Sequence, residues 1–199
     1  MKMKNILYIT DDYLYLKNKK NKDIIKYKVS KNIIESGKIV NIIKFNKLYE
    51  KMLSDNHLNN TLFGETIKII VTPNYKSADI TLLKNIFNCF NYRKVIVDYI
   101  TKNYKLNDNN CYINIISNTI FITMLNEYKK INTITILSSN FKNTLDLCKY
   151  IKYIVLDKEI YLLGSGELLT EIFNLFEDTF SNKTFIFSNH DTYILTKFI

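Results

Sequence analysis

Glycine and proline are scarce in this chain, with four glycines and one proline in 199 residues. Two of the glycines, Gly164 and Gly166, stand one residue apart, with Ser165 between them. They separate an apolar run from a segment with apolar residues at three- and four-residue spacing. This pattern predicts a strand, a tight turn and an amphipathic helix that begins near Glu167. Glycines at such a turn let a ligand approach the backbone, although the packing of a helix on a sheet demands them equally well.

Arginine is nearly absent, because Arg93 is the only arginine among 28 basic residues. The net charge of +9 therefore comes from lysines that are scattered along the chain. Proteins that recognise nucleic acids favour arginine, which forms paired hydrogen bonds with bases and phosphates. The composition thus argues against a nucleic-acid partner. A lysine-rich surface that binds nucleic acid or anionic lipid is a third hypothesis for the function, and it ranks behind the two hypotheses that follow from the fold.

Patterns for metal binding and membrane insertion are also missing. The histidines are isolated, and the three cysteines are widely spaced without a Cys-x-x-Cys pair: His57 and His190; Cys89, Cys111 and Cys148. We predict no metal site and expect the cysteines to be buried, reduced thiols. No apolar run is long enough for a membrane-spanning helix, and the N-terminus lacks the pattern of a signal peptide. We therefore expect a cytoplasmic protein.

The apolar pattern that is present predicts alternating strands and helices, and 47% hydrophobic residues suffice for one core or two small ones. Three strands are predicted within 5–29, with a turn at Asp11 and Asp12, followed by a turn at Gly37 and a helix over 45–53. A β-α-β unit is predicted over 66–100. A second set of three strands over 111–137 precedes a helix over 141–153. The chain then ends in a second β-α-β unit and a short helix from about Asp191.

The first β-α-β unit carries the more detailed expectations. Pro73 stands where the strand ends and the helix begins, and either Asn74 or Ser77 is expected to cap that helix. Its buried face is expected to consist of five apolar residues: Leu82, Leu83, Ile86, Phe87 and Phe90. The two halves of the chain thus share one order of elements, three strands followed by a β-α-β unit.

This order resembles the actin-like ATPase superfamily, and bacterial proteins of the MreB and FtsA type in particular. The segment IKIIVTPNYKSADITLLKNIFNCFNYRKVIVDYI is similar to the family's strand, proline junction, helix and strand, and LLGSGELLTEIFNLF is similar to its adenosine motif. The resemblance implies an α/β, actin-like (ribonuclease H-like) core. Because the chain is short, with room for only one helix between the second set of strands and the glycine turn, its outer subdomains are expected to be reduced or absent. It implies subdomains at 1–104 and 105–199, with the C-terminal helix packing back on the first.

The chain departs from the family at both phosphate loops. The first loop corresponds to Ile9–Tyr13, which contains Asp11 and Asp12 but no glycine, and the second corresponds to 114–119, which contains neither an acid nor a glycine. Glycines in these hairpins let backbone N–H groups reach the phosphates, and the acids organise Mg²⁺ and water. Bulky Tyr13, Ile115 and Ile116 are expected to obstruct that approach. The altered loops therefore predict a degenerate member of the family, and the short chain predicts a truncated one.

The resemblance therefore implies a non-catalytic scaffold or adaptor, a pseudo-ATPase in a bacterial cytoskeletal, cell-division or envelope assembly. Self-association or a protein partner is expected, without a resident cofactor.

The alternative is an actin-like protein that binds ATP with Mg²⁺ weakly and hydrolyses little or none. A nucleoside would then contact Gly164, Ser165, Gly166 and Glu167, while Asp11, Asp12 and Ser117 face the nucleotide. A purely structural interpretation of these polar residues is that Asp11, Asp12 and Ser117 occupy solvated turns and contact no ligand.

Overall fold

A computed structural model of the chain describes residues 5–18, 24–58, 64–164, 167–180 and 182–187. These residues divide into two units, one up to Lys102 and one from Asn103 onwards. Each unit has its own five-stranded sheet and its own hydrophobic core. The short helix predicted from about Asp191, and its packing on the first unit, lie outside the described residues.

The first unit combines an antiparallel three-stranded meander with parallel strands. Its sheet has the order β3-β2-β1-β6-β7, in which β1 pairs in parallel with β6, and β6 with β7. A separate two-stranded hairpin, β4-β5, lies between the meander and the first helix. The elements are β1 (Asn5–Ile9), β2 (Tyr13–Lys17), β3 (Ile24–Lys28), β4 (Ile34–Glu35), β5 (Lys38–Ile39), α1 (Ile42–Asp55), β6 (Thr66–Val71), α2 (Ser77–Asn88) and β7 (Lys94–Tyr99).

One face of this sheet packs against both helices of the unit. The alternation of strand residues directs Leu7 and Ile9 of β1 into the core, where they join Phe45 and Tyr49 of α1 and Phe87 of α2. The rings of Tyr49 and Phe87 meet edge to face with centroids 5.1 Å apart, a favoured geometry for aromatic pairs. The helices are thus anchored to the strands by aromatic side chains.

The second unit repeats the order of the first. Its sheet has the order β10-β9-β8-β11-β12, again an antiparallel meander extended by parallel strands. Asn143 caps its first helix, because the side-chain Oδ1 accepts the N–H of Asp146 at 2.8 Å. The elements are β8 (Asn110–Ile116), β9 (Thr119–Leu125), β10 (Ile131–Leu137), α3 (Thr144–Val155), β11 (Glu159–Leu163), α4 (Glu167–Asp178) and β12 (Thr184–Phe187).

The predicted fold class is confirmed: two halves, each a meander followed by strand, helix and strand. In the described residues, few further strands or helices are inserted between the elements that the two halves share. The β4-β5 hairpin is the element between β3 and α1, and one short 3-10 turn, Ser138–Asn140, lies between β10 and α3. The core is therefore reduced, with no room for large outer subdomains at these two points of the described chain.

Several local expectations were wrong. Helix α2 is capped at Lys76, whose backbone N–H is bound by Asp79 at 2.8 Å, rather than by Asn74 or Ser77. Leu82 is 44% exposed, because the buried stripe runs through Leu83 and its neighbours at three- and four-residue spacing.

The expectation of three buried cysteines was also wrong at one position. Cys111 and Cys148 are buried, but Cys89 follows the last turn of α2 on its outer side and is exposed. None of the described helices is long and apolar enough to cross a membrane.

Candidate functional site

The turn between β1 and β2 carries the acid pair that the sequence singled out. Thr10 closes this turn: its hydroxyl donates to the carbonyl of Tyr13 at 2.8 Å and accepts the Tyr13 N–H at 3.1 Å. Asp11 and Asp12 therefore lie at the tip of a tight turn. Asp12 is exposed, whereas Asp11 is half-buried and directs its carboxylate towards another segment of the first unit.

That segment is the turn of the β4-β5 hairpin, Ser36-Gly37. Both residues have positive φ, 51° and 76°, as the tight primed hairpin turns require. The Ser36 N–H donates to Oδ2 of Asp11 at 2.9 Å, and the Gly37 N–H donates to Oδ1 at 2.6 Å. Both oxygens of the Asp11 carboxylate are thus engaged by the protein's own backbone.

The segment after β6 holds the Ser36-Gly37 turn from its other side. Asn74 donates its side-chain N–H to the carbonyl of Ser36 at 3.0 Å, and the hydroxyl of Tyr75 donates to the carbonyl of Gly37 at 2.9 Å. A Cβ on Gly37 would stand 3.0 Å from Cγ2 of Thr72. The hairpin therefore fits closely between Asp11 and the residues that follow β6.

The electrostatic state of Asp11 reflects this enclosure. Burial raises the pKa of its carboxyl, and the nearby charges of Asp12 and Glu35 act in the same direction. The hydrogen bonds from Gly37 and Ser36 lower the pKa, but the combined effect of all these causes is a raised pKa. The described residues contain no cluster of three or more His, Cys, Asp or Glu side chains arranged for a metal ion.

In the second unit, Gly164 is required by packing. A Cβ at this position would lie 2.8 Å from the carbonyl oxygen of Ile115 and 3.1 Å from its Cβ. The backbone after β11 therefore contacts strand β8 at a distance that only glycine permits. Glu167 is the first residue of α4 and is exposed, while Ser165 and Gly166 lie outside the described residues.

The hairpin between β8 and β9 is equally tight. Ile116 pairs with Thr119, so the turn consists of Ser117 and Asn118 alone. Ser117 has a φ of 50° and is exposed, whereas Ile115 and Ile116 are buried strand residues. The structure thus brings Gly164 against Ile115, two residues from Ser117.

Sequence reasoning missed two features of these sites. It noted Gly37 as a turn, but not that Ser36 and Gly37 bind Asp11, since contacts 25 and 26 residues apart leave no local signal. It also missed the burial of Asn114, which is 1% exposed and whose side-chain amide has no hydrogen-bond partner among the described residues. A polar residue in the middle of an apolar strand was the available signal.

Comparisons with known proteins identify the fold. No family model matches the chain, and no curated protein matches it by sequence. Among solved structures, the ethanolamine utilization protein EutJ from Carboxydothermus hydrogenoformans aligns with a TM-score of 0.70 and 11% identity, covering 98% of this chain and 88% of EutJ.

Two further structures agree. MreB 5 of Spiroplasma citri bound to AMPPNP aligns with a TM-score of 0.67 and 11% identity, covering 100% of this chain and 96% of that one. A Bacteroides thetaiotaomicron protein with an actin-like ATPase fold and unknown function aligns with a TM-score of 0.60 and 11% identity, covering 98% and 96%. The chain therefore has the fold of the actin-like ATPase superfamily.

Proposed function

We propose that the chain is a non-catalytic actin-like protein that serves as a scaffold or adaptor in a bacterial cytoskeletal, cell-division or envelope assembly. The observation that carries this proposal is the engagement of Asp11. In the actin-like ATPases that the chain resembles, an acid in the first hairpin organises Mg²⁺ and water. Here both Asp11 oxygens accept backbone N–H groups from Ser36 and Gly37, at 2.9 and 2.6 Å. The carboxylate holds a hairpin in place, and burial raises its pKa.

The second hairpin supports the same proposal. Phosphate-binding hairpins use glycine so that consecutive N–H groups can approach the phosphate. Ile115 and Ile116 occupy this region and are 2% and 3% exposed, and the turn is only the two residues Ser117 and Asn118. A strand that is closed so tightly offers little backbone for a phosphate to contact.

A second candidate function is nucleotide binding with little or no hydrolysis. It is favoured by the fold shared with MreB 5, whose solved structures hold AMPPNP or ADP. On this alternative Gly164, Ser165, Gly166 and Glu167 contact the nucleoside. The close fit of Gly164 against Ile115 offers a packing reason for the first of these glycines that needs no ligand.

Phosphate release and thermal shift with Mg-ATP and Mg-GTP separate the two candidates. We expect no phosphate release above buffer and no shift at millimolar nucleotide. A ligand at 100 times its dissociation constant would add about 2.7 kcal/mol of stability, which is readily seen as a rise in Tm. A shift without phosphate release would favour the second candidate.

The variants Asp11→Asn and Asp12→Asn complete this test as a matched pair. Hydrolysis that is abolished by Asp11→Asn and retained by Asp12→Asn would overturn the proposal, because it would require the Asp11 carboxylate to leave the hairpin for the metal.

A further inference from the structure

Among the described residues, strand β10 forms one edge of the second unit's sheet and pairs with β9 alone. Its seven residues, INTITIL, contain no charge and no proline. The ends of the strand are apolar and exposed, with Ile131 at 57% and Leu137 at 45%. Natural edge strands are generally shielded by charges, proline or a bulge, because an open edge pairs with other strands. The first unit's sheet follows that rule, since its edge strand β3 carries Lys26 and Lys28.

The hydrogen bonds between β10 and β9 determine which backbone groups of β10 face away from the sheet. The Asn126 N–H donates to the carbonyl of Lys130, and the Ser138 N–H donates to the carbonyl of Asn118, each at 2.9 Å. Bonded pairs alternate along an antiparallel ladder. With the register that pairs Ile134 with Ile122, the even-numbered residues of β10 therefore bond to β9. The odd-numbered residues direct their N–H and C=O groups away from the sheet: Ile131, Thr133, Thr135 and Leu137.

We propose that β10 is a self-association surface, on which β10 of a second copy of this chain pairs in antiparallel fashion about a two-fold axis at Ile134. This inference deepens the proposed scaffold role and rests on it for its biological meaning. The pairing itself requires no nucleotide.

The two-fold register satisfies the backbone and the side chains together. It sets Ile131 opposite the partner's Leu137 and Thr133 opposite the partner's Thr135, and all four are residues whose backbone groups point outward. Each exposed apolar end of the strand would thus meet the opposite end of its partner. Aromatic, β-branched and threonine pairs across strands are stabilising. A foreign strand would need to supply this pattern, whereas a second copy already has it.

Oligomeric state tests the proposal through position 135. We expect the 199-residue chain to elute in light-scattering chromatography at twice its mass of 23.6 kDa, with or without Mg-ATP. Thr135→Pro removes an outward N–H without touching the bonds to β9, so it should give a folded monomer with an unchanged far-UV spectrum. Thr135→Val keeps the N–H and should remain a dimer. A wild-type monomer at high micromolar concentration, or a Thr135→Pro dimer, would overturn the proposal.

Cross-linking tests the register itself, and it does not depend on the folding of the proline variant. Two Ile134 residues would face each other in a non-bonded pair with Cα atoms about 4.5 Å apart, within the range for a disulfide. In a Cys89→Ser background, Ile134→Cys should form a covalent dimer on mild oxidation. Asn132→Cys lies on the same strand and face, but its symmetry mate would be about 14 Å away, so it should not cross-link.

A dimer that cross-links through position 132, or through neither position, would show that the contact lies elsewhere and would overturn the inference. The proposed lack of ATP hydrolysis would be unaffected by that result, since it is measured separately.

Discussion

At the scale of single residues, Asp11 shows that an acid in a turn can have either of two roles, as a structural hydrogen-bond acceptor or as a metal ligand. An acid at the tip of a β-turn is ordinary turn chemistry, and in an actin-like chain it also suggests a metal ligand. In this chain its oxygens bind the Ser36-Gly37 turn. The two acids at the tip therefore differ: one is a structural acceptor and the other, Asp12, is exposed.

Replacement of Asp11 should reveal this structural role. Asp11→Ala removes the acceptor of two backbone N–H groups, and we expect it to lower the free energy of unfolding by about 2 kcal/mol. Asp12→Ala is the matched control and should change it by less than about 0.5 kcal/mol. Urea denaturation of the three proteins measures both effects. Equal stability of the two variants would contradict the assignment of the hairpin to Asp11.

The thiols provide a second test at this scale. Burial raises the pKa of Cys111 and Cys148 to about 12, whereas Cys89 is exposed. Because the thiolate is the reactive form, we expect one of the three cysteines to react with an aromatic disulfide reagent at pH 8 in the native protein. All three should react in denaturant, and Cys89→Ser should abolish the native reaction. Fast reaction of a second native thiol would argue against the buried positions.

At the scale of elements, the strand-to-helix corner after β11 shows a glycine held by packing. The corner residue Gly164 contacts the backbone of β8 through Ile115. This contact joins β11 to the strand beside it in the sheet and sets where α4 can begin. The need for glycine there follows from the sheet, whether or not a ligand is present.

Substitution of this glycine should therefore be costly. Gly164→Ala places a Cβ 2.8 Å from a carbonyl oxygen, and we expect a loss of about 1–3 kcal/mol in unfolding free energy. Gly64→Ala is a useful comparison, because a Cβ there meets nothing within 4 Å and only its φ of 69° is unfavourable. That strain costs about 1 kcal/mol. Chemical denaturation that finds Gly64→Ala the more damaging change would contradict the packing argument.

At the scale of the whole molecule, the lysine-rich composition is partly neutralised by specific ion pairs. Asp98 of β7 lies between Lys68 at 3.0 Å and Lys102 at 2.5 Å, with 19% of its side chain exposed. Burial alone would raise the pKa of this carboxyl, but the hydrogen bonds and charges of the two lysines lower it below its ordinary value.

The direction of this pKa shift predicts that the protein loses stability as the pH falls into the acid range. A carboxyl whose folded-state pKa is lowered contributes stability above its unfolded pKa of 3.8, and that contribution is lost as the pH falls through the folded value. We expect Asp98→Asn to lower the free energy of unfolding at pH 7 by about 1 kcal/mol. As the pH falls below about 4, the variant should lose less stability than the wild type does. Asp108→Asn, an exposed acid 3.9 Å from Lys129, should change neither. Melting temperatures between pH 3 and pH 7 measure this, and parallel profiles for wild type and Asp98→Asn would refute it.

The sequence by itself determined the order and type of the elements, because hydrophobic periodicity and turn chemistry are local. Strand β6, its proline junction and the repeated order of the two halves were predictable for this reason, and so was the actin-like fold. Details that depend on one side of a helix were less predictable: Leu82 and Cys89 are exposed although they stand beside buried residues.

Only the tertiary structure decided what the candidate residues contact. The partners of Asp11 lie 25 and 26 residues away in a hairpin of two short strands, and Gly164 meets Ile115 of another strand. The openness of β10 depends on its place at the edge of the sheet, which its own seven residues do not specify. Contacts between segments that are distant in sequence arise from the packing of the sheet, so no local pattern of residues encodes them.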